Sequence, residues 1–420
     1  MLSFNLKPVH QKTPEKSNLF AREGEMTENE GKMNKWYCSV CHKTFYQENK
    51  PGECDNCHSD QRMIMEAESK PDTLDQVRDM ARKKLKGICA VYPFCDGSFD
   101  KICQKEAYGK PIGLGGVGQG LSFRANVQAL ADVKLNLSVL GDHFEPDTST
   151  SFLGIDLDFP VMASSTAGAG KYNDALDETA FCTSVLKGSK EAGTIGLRGD
   201  TWFYTLDDNP SLKAMAACNG YGIPIFKPRA QDVLKKLIER AEDLGCKAVG
   251  VDLDGCGSTI MARHGQPVFR KSVDDIKALA GFTSLPFIVK GIMLPEEAFK
   301  CVEAGAAAIS VSNHGGRVLD ATPGIAEVLP LVREKLGEEV PITADGGVRT
   351  GYDVLKMLAL GADAVLLGRD IIRAAVGAGS LGVKLHLEHI HNTLKKAMFM
   401  TGTKNIKMAD DTILFRPDRF

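Results

Sequence analysis

The sequence predicts an α/β chain built around a (β/α)8 TIM barrel, with a small four-cysteine metal ribbon ahead of it. Three observations carry this expectation. From about residue 155, eight short runs rich in Val, Ile and Ala alternate with amphipathic stretches of about 10 to 15 residues, the pattern of repeated βα units around a parallel sheet. The tails of these runs hold charged and glycine residues, as expected if the active site lies at the C-terminal strand ends of a barrel. Nearer the N-terminus, two Cys-x-x-Cys pairs stand apart from this repeat.

Composition sets outer limits. A chain of 420 residues, 43% hydrophobic and 25% charged, has room for one large core and one small domain. A net charge of -3 and a pI near 6.3 provide no field to attract nucleic acid or an anionic membrane. A small-molecule substrate or a protein partner is therefore expected. No apolar run approaches the roughly 20 residues of a membrane span, and the N-terminus lacks signal-peptide order, so a cytoplasmic location is expected. The 12 cysteines read as metal ligands plus buried free thiols at Cys182, Cys218, Cys246 and Cys301.

Residues 1–33 are polar and aperiodic, which predicts a disordered leader. In residues 34–62, Cys38-x-x-Cys41 and Cys54-x-x-Cys57 are separated by 12 residues. Each pair can present two thiolates on one tight turn, and two such turns close a tetrahedral Zn or Fe site. This segment resembles the rubredoxin-like domain of rubrerythrins, with Trp36, Tyr37 and Phe45 as its small aromatic core. His42 and His58 stand where that family has glycine after each knuckle, so the choice between iron and zinc stays open.

Residues 63–120 read as a connector. Its Pro71-Asp72-Thr73 start and Leu74, Val77, Met80, Ala81 and Leu85 at helical spacing predict a helix over 72–87. Cys89, Cys95 and Cys103 fit no metal motif and suit a packed loop or a second metal equally. Gly113 to Gly118 formally matches GxGxxG, but no strand precedes it, and a lid or ligand-facing loop is the better expectation.

The barrel is expected over 121–420, with strands at Phe159 to Ala163, Gly193 to Leu197, Ile223 to Phe226, Ala248 to Leu253, Pro286 to Lys290, Ala308 to Ser312, Val340 to Ala344 and Ala364 to Leu367. The sixth ends in Ser312-Asn313-His314-Gly315-Gly316-Arg317. An imidazole that can take a proton near neutral pH and a guanidinium that can grip a carboxylate thus arrive together on a rigid support. A structural His in a strand-end turn is the plainer alternative. The seventh and eighth end in Asp345-Gly346-Gly347-Val348-Arg349 and Gly368-Arg369, a phosphate cradle of glycine-rich turns, helix starts and arginines. Lys290 closes the otherwise apolar fifth strand as a cation aimed at a ligand.

These motifs, with Thr148 to Gly154, Pro160, Thr166-Ala167, Asp353 to Lys356 and Ala359 to Ala362, resemble the FMN-dependent 2-hydroxy-acid oxidase and dehydrogenase family over roughly residues 120–410. The resemblance implies that His314 takes the substrate hydroxyl proton while hydride passes from the α-carbon to flavin N5, that Arg317 binds the carboxylate, and that Lys290 stabilises the reduced flavin. It implies FMN contacts at Thr166, Ala167, Lys227, Asp252, Lys290, Ser312, Gly347, Arg349, Gly368 and Arg369, with Asp345 orienting His314 or the ribityl chain. A small 2-hydroxy or 2-oxo acid partner, a redox protein partner served by the metal ribbon, and a homo-oligomer follow from it as expectations.

Departures fall in the earlier strands. Lys227 and Arg229 stand where the family has Gln and Tyr, and Asp252 and Asp254-Gly255-Cys256 where it has Thr and Asp-Thr-Pro. Arg263 or His264 is a candidate to replace a missing carboxylate-binding arginine. The four charges could also form a self-compensating cluster beside the flavin. Two other readings stay in view, an isomerase of the type 2 isopentenyl diphosphate kind and a non-enzymatic flavin and metal scaffold.

Overall fold

The computed structural model describes residues 71–85, 116–168 and 176–417, together with the backbone of three strands nearer the N-terminus. The chain divides into two compact units, Met1–Ser69 and Lys70–Phe420. In the first, β1 (Asn34–Cys38), β2 (Thr44–Gln47) and β3 (Met63–Met65) form an antiparallel sheet in the order β2-β1-β3. Trp36 is in register with Phe45 on one side and Met65 on the other. The Cys41, Cys54 and Cys57 ligand positions, the side chain of Cys38, the 1–33 leader, and Cys89, Cys95 and Cys103 lie outside the described residues.

The second unit opens with α1 (Leu74–Leu85), whose start is held reciprocally. Thr73 Oγ1 accepts from Gln76 N at 3.3 Å, while Gln76 Oε1 accepts from Asp72 N and Thr73 N. Val77, Ala81 and Leu85 are buried, and Lys84 donates to the carbonyls of Val376 and Gly377. The helix assigned to the connector therefore packs as part of the barrel unit. After α2 (Leu121–Asp132) and the hairpin β4 (Thr150–Phe152) and β5 (Ile155–Leu157), the barrel begins.

Its eight parallel strands are β6 (Val161–Thr166), β7 (Gly196–Arg198), β8 (Ile223–Phe226), β9 (Val249–Asp252), β10 (Phe287–Ile292), β11 (Ala308–Val311), β12 (Ile342–Ala344) and β13 (Ala364–Leu367), and β13 pairs with β6 to close the ring. The intervening helices are α3 (Glu178–Glu191), α4 (Pro210–Ala217), α5 (Gln231–Asp243), α6 (Thr259–Arg263), α7 (Val273–Ala280), α8 (Pro295–Glu303), α9 (Ile325–Leu336) and α10 (Gly351–Ala359). After β13 comes α11 (Arg369–Thr401), two helices meeting at a break at Ala378 and Gly379. Each of the eight expected strands is present.

Period-two alternation sorts the strand residues. Met162, Ile288, Ala308 and Leu366 belong to the barrel interior, whereas Val161, Val289, Ile309 and Val365 pack in the larger cluster beneath the helices. Phe152, Ile155 and Leu157 of the hairpin join the interior cluster with Ala248, Ala308 and Ala364 at the strand starts, so the hairpin plugs the N-terminal mouth. Continuing the same alternation upward puts Asp252, Lys290, Ser310 and Ser312 inside at the other mouth. Parallel register sets Lys290 beside Asp252 on β9 and Ser310 on β11. The interior is thus apolar below and charged above. As expected, Cys182, Cys246 and Cys301 are buried free thiols, whereas Cys218, expected to be buried with them, is a half-buried free thiol.

Candidate active site

A cavity of about 500 Å³ opens at the C-terminal strand ends. Its floor is a network of charges that cannot be buried singly, since each unpaired ion would cost several kcal/mol. Lys290, 2% exposed, places Nζ 2.9 Å from Ser312 Oγ and 3.5 Å from both Asp252 Oδ1 and Asp345 Oδ2. Asp252 also accepts from Lys227 Nζ at 2.6 Å through Oδ2. Burial works against the Lys290 ammonium, but Asp252, Asp345 and Asp254 overcome it and hold its pKa above the ordinary value. Burial likewise opposes the Asp252 carboxylate, and Lys227, His314 and Lys290 hold it well below the usual range.

His314 follows β11 with φ +57°, a left-handed conformation rarely taken by a side-chain-bearing residue. The turn holds it there. Ser312 Oγ accepts from His314 N at 3.0 Å, and Gly316 N donates to Asn313 O at 2.9 Å. The ring then spans the charge network, with Nδ1 2.9 Å from Asp254 Oδ1 and 3.4 Å from Asp252 Oδ2, and Nε2 3.5 Å from Lys227 Nζ. Burial and Lys227 favour the neutral ring. Asp254 and Asp252 outweigh them, and the net pKa is raised. Gly291 makes this arrangement possible. At φ +89° it lies against Asp254, where a Cβ would fall 2.6 Å from the carboxyl carbon.

Arg317 lines the same cavity, and its buried Nε has no hydrogen-bond partner among the described residues. Asp345 accepts from Ser312 Oγ at 2.8 Å, and its Oδ1 has no partner among the described residues. It therefore supports Ser312 and Lys290, while His314 is oriented by Asp254 and Asp252; of the two roles the resemblance implied for Asp345, this leaves the one toward the ribityl chain. On the far side, Gly347, Arg349, Gly368 and Arg369 line the cavity with Thr166 and Ala167. Gly347 takes φ +85°, turning the chain into a cradle at the start of α10. Arg369 donates to Gly315 O at 2.7 Å, and its guanidinium lies 4.5 Å from the Phe123 ring centroid, linking this cradle to the His314 turn.

Arg229 is not a ligand-facing cation. Its guanidinium grips Asp200 in a two-pronged pair at 2.7 Å and bonds Gln266, Thr201 O and Tyr204 O. The expected charge cluster thus divides, with Lys227, Asp252 and Asp254 around His314 and Arg229 locked away. Neither Arg263 nor His264 lines the cavity, and His264 stacks on Trp202 at 4.0 Å. Trp202, Phe203 and Ile260 form an apolar wall, which the sequence did not flag although the aromatic pair lies in the loop after β7.

Asp252, Asp254 and His314 bring their ligand atoms within 4.8 Å of one another. Lys227 and Lys290 already supply the positive charge Asp252 needs, so this group reads as a hydrogen-bonded ion network.

Residues 113–264 and 257–416 match the model of the family described as FMN-dependent dehydrogenase. The L-lactate oxidase of Lacticaseibacillus rhamnosus is 31% identical over 325 residues, covering 70% of this chain and 86% of that protein. The 2-hydroxyacid oxidase 1 of Homo sapiens is 31% identical over 331 residues, covering 69% and 87% respectively. Among solved structures, mandelate oxidase with (S)-2-phenylpropionate aligns with a TM-score of 0.65 at 27% identity, over 82% of this chain and 97% of that one. The matched span contains the closed barrel and its charged mouth, and the chain belongs to the FMN-dependent dehydrogenase family.

Proposed function

We propose that this enzyme oxidises a small 2-hydroxy acid to the corresponding 2-oxo acid, using FMN held in the cavity. The observation that carries the reading is the pairing of His314, whose Nδ1 is held by Asp254, with Arg317, whose buried Nε has no hydrogen-bond partner among the described residues and which lines the same cavity. A base for the hydroxyl proton and a clamp for the carboxylate are what the reaction asks of the protein. The relatives named lactate oxidase and 2-hydroxyacid oxidase support the substrate class.

The residues present fit FMN. Gly347, Arg349, Gly368 and Arg369 would hold its phosphate, and Lys290 would face the ring where negative charge gathers on reduction. Bound FMN supplies the two-electron acceptor. This chain's own residues do the rest. Arg317 fixes the carboxylate, His314 Nε2 accepts the hydroxyl proton, and Asp254 steadies the resulting imidazolium. Trp202, Phe203 and Ile260 favour an apolar substrate side chain and restrict water.

The decisive experiment is anaerobic mixing of the purified flavoprotein with a panel of 2-hydroxy acids. Bleaching of the flavin band by one acid, lost in His314→Ala, is expected. Bound flavin that no acid bleaches would overturn the reading.

The finer proposal concerns the electron acceptor. Cys38, Cys41, Cys54 and Cys57 in the same chain as a flavin barrel support an iron or zinc ribbon and, with iron, an acceptor other than oxygen reached through a redox protein. Replacing Cys38 and Cys41 with Ser is expected to slow flavin reoxidation by a protein acceptor. Unchanged turnover with every acceptor would sink the idea.

A further inference from the structure

Lys227 balances Asp252, and its ammonium also reaches the ring of His314. It follows β8, its side chain is 13% exposed, and it lines the cavity. Its backbone N donates to Asp200 Oδ2 at 3.1 Å, and the same carboxylate clamps Arg229 two residues on. The turn is thereby pinned at both ends, with Arg229 spent on Asp200 and Lys227 left as its cavity-facing cation. Gly255 gives the side chain its path, since a Cβ there would lie 2.6 Å from Lys227 Cδ.

An ammonium has three donors. Asp252 Oδ2 takes one at 2.6 Å, and Nζ lies 3.5 Å from His314 Nε2. Because Asp254 and Asp252 face Nδ1, Nε2 is the nitrogen open to substrate. A substrate oxygen that gives its proton to Nε2 therefore arrives within reach of the Lys227 donors.

We propose that Lys227 is a catalytic residue of this chain, its ammonium holding the 2-oxygen of the substrate beside His314 Nε2. The inference rests on the 2-hydroxy-acid reading above. As the O–H bond breaks, the proton passes to Nε2 and the electron pair stays on oxygen. The developing alkoxide then lies between the Lys227 ammonium and the new imidazolium, and no proton leaves Lys227. A donor preset where charge develops in a water-poor site stabilises the transition state more than the bound alcohol. Arg317 holds the carboxylate and Lys227 the 2-oxygen, so the substrate is read at two adjacent functional groups.

The test compares wild-type holoenzyme with Lys227→Met and Lys227→Arg at equal flavin content. Two ligands are titrated by flavin absorbance, a 2-oxo acid and the carboxylate of the same chain length lacking the 2-oxygen. For Lys227→Met we expect roughly tenfold or greater weakening for the 2-oxo acid, an unchanged constant for the plain carboxylate, and a flavin reduction rate lower by about 10²-fold. Lys227→Arg should recover part of both. The acid limb of the reduction rate should move to higher pH in Lys227→Met, because Asp252 and Asp254 then face His314 without the opposing ammonium.

Equal losses for both ligands would overturn the inference by making Lys227 a carboxylate clamp. Flavin loss from both variants would overturn it by making Lys227 a cofactor contact. Unchanged reduction and ligand discrimination would leave Lys227 as a mere partner of Asp252, again overturning it. Failure of any 2-hydroxy acid to reduce wild-type flavin would remove the underlying reading and this inference with it.

Discussion

Asp254 Oδ1 lies 2.9 Å from His314 Nδ1, joining residues 60 positions apart across the barrel mouth. This contact occupies Nδ1 and leaves Nε2 for the proposed substrate, and Asp254 with Asp252 keeps the imidazole pKa raised against burial and Lys227. A base must be neutral to accept a proton. The rate of flavin reduction should therefore climb with pH through a value above the ordinary 6.5 of histidine. Asp254→Asn should move that limb to lower pH and, by loosening the ring, cut the reduction rate by about 10²-fold or more. A limb that stays in place would contradict the assigned partner. For stability the sign is opposite: the protonated His314 contributes below the unfolded pKa, and that contribution is lost as pH rises through the folded one.

Arg317→Met should raise KM for the hydroxy acid more than it lowers the limiting reduction rate. Losing hydrogen bonds to a charged group costs about 1.5–3 kcal/mol, roughly 10- to 150-fold in kcat/KM. Stopped-flow reduction over a substrate series separates the two. An unchanged KM would remove Arg317 from carboxylate binding.

Arg369→Ala removes a cation from the expected phosphate cradle and the bond to Gly315 O. FMN should dissociate roughly 10- to 150-fold more readily, by the same magnitude for a charge-assisted contact. Fluorescence of released flavin on dilution measures this. Retention equal to wild type would place the phosphate elsewhere.

Asp320 caps the start of α2 from a distance, accepting from Gln119 N at 2.6 Å, Leu121 N at 2.7 Å and Ser122 N at 3.2 Å. Desolvation opposes its charge, but these N–H donors prevail and lower its pKa. Asp320→Ala should cost about 1–2 kcal/mol, like loss of a strong helix cap. The stabilisation is present above the unfolded carboxyl pKa and fades as pH falls through the folded one, so wild type and variant should converge in acid. Thermal melts at neutral and acid pH would show it, and a pH-independent difference would argue for a packing effect.

Much of the site was legible before the fold was seen. Lys290, His314, Arg317, Arg349 and Arg369 stand at or just beyond strand ends, and any parallel barrel gathers strand ends at one mouth. Asp254 as the partner of His314 was not legible, because Lys227, Arg229, Asp252 and Asp254 equally suited a self-compensating ion cluster beside the flavin. Nor was the separation of Lys227 from Arg229, which depends on Asp200 arriving from the preceding βα loop. Trp202 and Phe203 carried a weak signal as an aromatic pair after a strand, but the same pair would suit ordinary core packing.

What the sequence by itself determined was the barrel and the set of chemical groups at its mouth. Short runs rich in Val, Ile and Ala, alternating with amphipathic helices, specify the barrel, and the glycine, His and Arg residues at their ends mark its mouth as the place for a ligand. Tertiary structure decided which charge meets which. Parallel strands bring together residues distant in the chain, such as Lys290 with Asp252, 38 positions apart. The partner of a buried ion is then chosen by register, side-chain reach and the cost of leaving any charge unpaired, quantities that exist only once the ring has closed.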